Sequence, residues 1–261
     1  MTSDAEGARW HAVVLAGCRG PEEPVARAAR VSHKAFADLA GQPMIAHVLA
    51  ALAAVPRIDH VLVVIEPDAP ALPEHAGLSV ERLDAAPSPA RSVLAALDRL
   101  SGPVLVTTAD HPLLTPSMVE DLLAGALRED TDAAMAVAAR AVVEAAGNPA
   151  KRTYLRFRDA SVSGCNLFAL RTGRARNAVH LWQRIEAQRK HPWRMARLLG
   201  LWSLLLYASG LMTLAGAGRA LGRAAGCTAG FVLLDHPDAA HDVDKPADLD
   251  FARARLAARQ G

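Results

Sequence analysis

Surplus charge is scarce in this 261-residue chain: 29 Lys and Arg stand against 27 Asp and Glu, a formal net charge of +2. So small a balance excludes a general electrostatic footprint for nucleic acid, and any anion site has to be local. Cysteine is equally sparse. Cys18, Cys165 and Cys227 lie far apart, with neither metal-ligand spacing nor an even number for disulfide pairing, which predicts a reducing, cytoplasmic setting. The N-terminus lacks a basic stretch followed by an apolar core; residues 1–9 are polar and acidic, so no secretory signal is expected. A Gly-x-Ser-x-Gly elbow is also missing, which argues against a nucleophilic Ser-His-Asp arrangement. Finally, residues 198–218 carry no charged side chain at all, a length comparable to a membrane span.

What is present points to a folded α/β chain, with 51% hydrophobic and 21% charged residues, enough to bury a substantial core. Apolar runs at 13–15, 60–65, 103–108, 133–139 and 231–234 read as buried strands, while 78–83 is interrupted by Ser79, Glu81 and Arg82 and reads as an edge strand. Segments at 43–55, 89–100, 116–127, 174–191 and 246–258 read as helices. Ser88 before Pro89, and Thr115 before Pro116, are cap signals. The alternation predicts a parallel sheet covered by helices, becoming mixed where 153–157 and 166–170 supply shorter strands. Three readings of 198–218 stand open: two short buried helices joined at Ala208-Ser209-Gly210, a lipid-contacting surface, or a span. Trp193, Trp202 and Tyr207, with Arg189, Lys190, Arg194 and Arg197 upstream, suit an interface as well as a basic helix end over a core.

In an open parallel sheet, ligands bind beyond the carboxyl ends of strands. Two stretches sit there. Leu15-Ala16-Gly17-Cys18-Arg19-Gly20, with Lys34 beyond it, is a glycine-containing basic loop suited to a polyphosphate, or else an ordinary turn. Asp110 follows the 103–108 strand and offers a carboxylate to Mg²⁺, or else caps a turn. Asp242 and Asp244 are two residues apart and in an extended segment would share a side, although Asp244 also reads as the cap of the helix near Pro246. His111 and His241 beside these aspartates lack a third partner for zinc. Lys151 and Arg152 offer a clamp for a second anion, or a solvated face. A lowered thiol pKa is conceivable for Cys18 beside Arg19.

Together these residues resemble the MobA-like nucleotidyltransferases of the GT-A-like superfamily. The resemblance rests on Leu15-Ala16-Gly17, Arg19-Gly20, Lys34, 39–44, Thr108-Ala109-Asp110-His111-Pro112-Leu113, 164–168 and 242–249 in that order. It implies a Rossmann-like, mostly parallel sheet with helices on both faces, a single nucleotidyltransferase domain over 1–261 that includes an apolar helical insertion at about 174–225. It further implies that residues 15–20 (Leu15, Ala16, Gly17, Cys18 and Gly20, with Arg19) wrap an NTP whose phosphates meet Lys34. By the same resemblance Asp110 and one of Asp242 and Asp244 hold Mg²⁺, Ser88, Arg91 and Ser92 lie near the base, and Asn166 lies beside the acceptor. Two departures stand out: Cys18 replaces a second glycine, and the interval to Lys34 is long, with Arg27 or Arg30 standing in for the usual arginine. The implied reaction transfers NMP to a phosphorylated small molecule; if 198–218 faces outward, its apolar character adds peripheral membrane contact and a lipid precursor as acceptor. A glycosyltransferase using an Asp-x-Asp pair and a non-catalytic nucleotide-binding membrane protein are the rival readings.

Overall fold

The computed structural model describes residues 8–18, 20, 22–147, 152–188, 198 and 200–260. The apolar runs form β1 (Trp10–Leu15), β4 (Ile58–Ile65), β6 (Val104–Thr108), β7 (Ala133–Ala139) and β10 (Ala229–Leu234), with a small antiparallel pair, β2 (Asp38–Leu39) and β3 (Gln42–Pro43), lying apart. The polar-interrupted β5 (Ser79–Asp84) is at the edge. With β8 (Leu155–Arg156) and β9 (Ser161–Leu170) they make an eight-stranded sheet in the order β10-β7-β9-β6-β1-β4-β5, β8 pairing with β9. β9 runs antiparallel to β6, β7 and β8, and every other ladder in this sheet is parallel. The sheet is therefore mixed and mostly parallel, as the alternation predicts.

The helices described are α1 (Pro24–Ala29), α2 (Met44–Ala53), α3 (Pro89–Leu97), α4 (Pro116–Arg128), α5 (Arg140–Ala145), α6 (Ala175–Gln188), α7 (Leu201–Ala208), α8 (Leu214–Ala225) and α9 (Pro246–Gln260). The two proline-led starts form as read: Ser88 Oγ accepts from Arg91 N and Thr115 Oγ1 from Met118 N, each at 3.4 Å. Period-2 alternation sends Ala12 and Val14 of β1 into a layer with Ile45 and Leu49 of α2 and Leu122 of α4. Val13 instead joins Val93 of α3 and Val179 of α6 on the other face. Each such buried Val or Leu side chain contributes about 1.5–3 kcal/mol. A third cluster unites Val25 of α1, Leu39, Met44, Leu113, Val243 and Leu249 of α9, and this small core sits under the loops that matter below.

Three expectations change. The strand read as 166–170 is the end of the ten-residue β9, and the ladder with β7 slips between Met135↔Phe168 and Val137↔Gly164. The extra β9 residues form a bulge in which Asn166 takes a left-handed φ of 48°. Second, the span reading of 198–218 drops out: α7 and α8 flank a short connection just after Ala208, as the two-helix reading expects, and among the described residues no helix is long and apolar enough to cross a membrane. Nor is 174–225 set off as an apolar helical insertion, because α6 packs on α3 and α8 packs on β10 as part of the sheet's own cover. Third, buried packing fails for α7, none of whose residues is buried. The close fit of α8 does explain its glycines: a Cβ at Gly222 would stand 2.7 Å from Cys227 O. On the opposite face of β10, a Cβ at Gly125 of α4 would stand 2.6 Å from Val232 Cγ1.

Candidate functional site

β1 leaves the sheet at Leu15, and Ala16 N still donates to Val64 O at 2.8 Å, so the loop starts from a fixed point. Gly17 follows; a Cβ there would already touch Glu66 Oε1 at 3.4 Å. Cys18 N donates to that same Glu66 oxygen at 2.8 Å, and Gly20 turns the chain with φ 98°. Arg19 lies outside the described residues. The Cys18 thiol donates to Glu23 Oε2 at 2.9 Å, and burial together with that acidic partner pushes its pKa up, opposite to the conceivable lowering. The long interval to Lys34 is filled by α1. Arg30 caps that helix with φ 56°, and both Arg27 and Arg30 are exposed, with neither bonded to Lys34 or Asp110.

Lys34 begins a 3₁₀ turn, Lys34–Phe36, that brings its amine over the ends of β1 and β6. Its Nζ lies 2.7 Å from Asp110 Oδ2, 3.3 Å from Glu23 Oε1 and 3.5 Å from Asp244 Oδ1. Burial opposes the lysine charge, but Asp110, then Glu23 and Asp244, outweigh it and hold the pKa above the ordinary lysine value. Asp110 itself is oriented by Thr108 Oγ1, which donates to its Oδ1. Its carbonyl accepts from Val243 N at 2.8 Å, which sets the C-terminal aspartates against it.

The two aspartates part company there. Asp242 does not turn to Lys34; its carboxylate pairs with Arg152, whose Nη2 also donates to Asp242 O at 3.0 Å and stands 3.7 Å from Asp248 Oδ1. Arg152 is thus a strut under this segment, with Lys151 outside the described residues. Asp244 does not cap α9. That task falls to Asp248 at the third helical position, whose Oδ2 accepts from Lys245 N at 2.9 Å and Asp244 N at 3.2 Å. The Asp244 carboxylate is thereby left to face Lys34. Burial and then the nearby Asp242 charge push its pKa up.

The remaining candidates divide by position. Ser92 is buried and its Oγ accepts from Ala86 N at 3.0 Å, fixing the loop after β5; Ser88 is spent as the α3 cap, and Arg91 is exposed. Asn166 lies in the β9 bulge, two residues before Phe168, where the pairing of β9 with β6 ends at Val106 near the site end of that strand. His111 and His241 turn inward, His241 stacking on Phe251 at 4.9 Å between centroids. Burial pushes both down to about 4, and the charge of Arg152 assists at His241. The zinc alternative therefore has no support: among the described residues no cluster of three or more His, Cys, Asp or Glu is placed to hold a metal. Mg²⁺ asks less, since one or two carboxylates with water suffice. Asp110 and Asp244, converging with an excess of carboxylate around one lysine, are a donor set that fits it.

Glu23 and Glu66 escape a motif reading. Glu66 directly follows β4 and so had the same positional signal as Asp110. Glu23 sits inside the long interval, where only Pro24 hints at a helix start.

Several known proteins resemble this chain in sequence or in fold. A 2-C-methyl-D-erythritol 4-phosphate cytidylyltransferase of Cereibacter sphaeroides is 37% identical over 134 residues, 48% of this chain and 57% of that protein. The chain thus matches little more than half the length of that relative. A hypothetical transferase from Thermus thermophilus superposes with a TM-score of 0.78 at 32% identity, covering 92% of this chain and 99% of that one. The 4-diphosphocytidyl-2C-methyl-D-erythritol synthase of Anaerococcus prevotii shares the fold at 11% identity and a TM-score of 0.58, covering 98% of this chain and 100% of that one. The MobA-like NTP transferase domain matches residues 12–184, and the chain belongs to that family.

Proposed function

We propose that the chain is a nucleotidyltransferase that moves an NMP group from an NTP to a phosphate oxygen of a small phosphorylated acceptor, releasing pyrophosphate. The observation that carries this reading is the meeting of Lys34, Asp110 and Asp244 beyond β1 and β6, beside the Gly17 loop. The acceptor oxygen attacks the α-phosphorus in line. The new P–O bond forms as the bond to the β-phosphate oxygen breaks, and its electron pair leaves with pyrophosphate. Lys34 neutralises phosphate charge, and Arg19 in the loop does the same. The Cys18 N–H, held by Glu66 in this structure, is a donor for a phosphate oxygen once that carboxylate yields. Mg²⁺ held by Asp110 and Asp244 would supply further charge neutralisation on the triphosphate. In this reading Asn166 serves the acceptor, with Lys151 assigned there from the sequence alone, and the loop held by Ser92 serves the base with Ser88 and Arg91.

The relatives named as cytidylyltransferases make CTP the leading nucleotide. The test screens four NTPs against a panel of phosphorylated metabolites, reading pyrophosphate. Release that needs both one NTP and a phosphorylated acceptor, and that Asp110→Asn abolishes, supports the reading. No release from any pair, or transfer of sugar from a nucleotide sugar, overturns it.

A further inference from the structure

The most conspicuous surface away from the site is α7. Its sequence, Leu-Trp-Ser-Leu-Leu-Leu-Tyr-Ala, is apolar on every side, yet Trp202 is 72% exposed, Leu201 66% and Leu205 53%, and Leu211 just beyond is 57% exposed. A helix apolar all round is ordinarily buried, so this one lacks its cover. Charge says what the cover is. From Ala187 to Leu234 the sequence contains six Lys and Arg and no Asp or Glu. Within that stretch Arg219 and Arg223, both exposed on α8, form no ion pair or hydrogen bond among the described residues. With Arg174 they rim a cavity of about 830 Å³ in which three arginines outnumber two carboxylates, Glu129 and Asp159, so its lining is net cationic. Phe231 connects through Phe157 to Tyr207 of α7, with centroids 6.5 and 5.7 Å apart, so the arginine-rimmed cavity and the apolar helix belong to one surface.

We infer that this surface docks on an anionic lipid bilayer, with α7 lying in the interface and Arg219 and Arg223 facing lipid phosphates. Leucines with a Trp and a Tyr on a short helix, flanked along the sequence only by cations, are the composition of an element that lies in the headgroup boundary. A second copy of the chain is the poorer occupant, because a two-fold contact would set the same net-cationic surface against itself. The inference is independent of the proposed reaction, since binding to vesicles needs no nucleotide.

The test is flotation of the full chain with vesicles of phosphatidylcholine alone or mixed with phosphatidylglycerol. Binding is expected only to the anionic vesicles, weakening as salt is raised. Trp202→Ser with Leu205→Ser should reduce partitioning by about tenfold or more. Arg219→Glu with Arg223→Glu should abolish the anionic preference. All four side chains are exposed, so circular dichroism and pyrophosphate release in solution should match wild type. Absence of wild-type flotation with anionic vesicles at low salt, or unchanged binding by both variants, overturns the inference. So does a wild-type dimer in sedimentation equilibrium that Trp202→Ser with Leu205→Ser splits, because the surface would then belong to a second copy.

Discussion

At the scale of single residues, the site is a charge balance around one lysine. Lys34→Met removes the cation from between Glu23, Asp110 and Asp244. Pyrophosphate release should fall about 100- to 1,000-fold. The melting temperature should also drop at neutral pH and recover partly as the carboxylates protonate; a variant that keeps wild-type turnover would remove Lys34 from the chemistry. Arg152 separates two roles. As the strut of Asp242, its replacement by alanine should lower kcat through a misplaced Asp244 and cost on the order of 3 kcal/mol of stability, because Asp242 is left unpaired. An increase confined to the acceptor KM, with unchanged melting, would instead make Arg152 an acceptor clamp. That Asp110 and the glycine loop stand together at the ends of neighbouring strands was legible, because each follows an apolar run in the alternation of strands and helices. Which of Asp242 and Asp244 turns toward Lys34 was not, since Arg152 decides it from 90 residues away in sequence.

At the scale of elements, caps and close approaches set geometry. Asp248 closes the start of α9 and frees Asp244. Asp248→Ala should cost about 1 kcal/mol in denaturant unfolding and reduce kcat more than the same loss of stability elsewhere would. β10 is gripped on both faces by helices that have no Cβ at the contact, Gly125 on one side and Gly218 and Gly222 on the other. Gly222→Ala drives a methyl group to 2.7 Å from the Cys227 carbonyl, and urea titration should show a loss of about 1–3 kcal/mol. The proline-led helices and the parallel strands were readable from local sequence. The bulge at Asn166 was not, because Ser163-Gly164-Cys165 breaks the alternation and the strand continues only because β6 and β7 pair with it from either side.

At the scale of the whole molecule, two histidines buried beside the site make the fold acid-sensitive. In the unfolded chain they take up protons near pH 6.5, whereas in the fold they resist until about 4. Between those values the unfolded state binds more protons. Stability is therefore complete above about pH 6.5 and declines toward pH 4, by on the order of 3 kcal/mol per ring. Denaturant titrations across that range with a chelator present check this, and a flat profile rejects it. The site also has a place in time. Lys34 and Asp244 are 210 residues apart, and Asp244 follows the last strand of the sheet. Pairing across so long a loop pays its closure entropy before any contact rewards it. As the chain is synthesised, β1, β4 and β6 can pair early around an incomplete centre, and the carboxylate that completes it emerges only with the segment leading into α9. A ribosome-bound chain stalled before Asp244 should therefore have most of its sheet and none of its turnover.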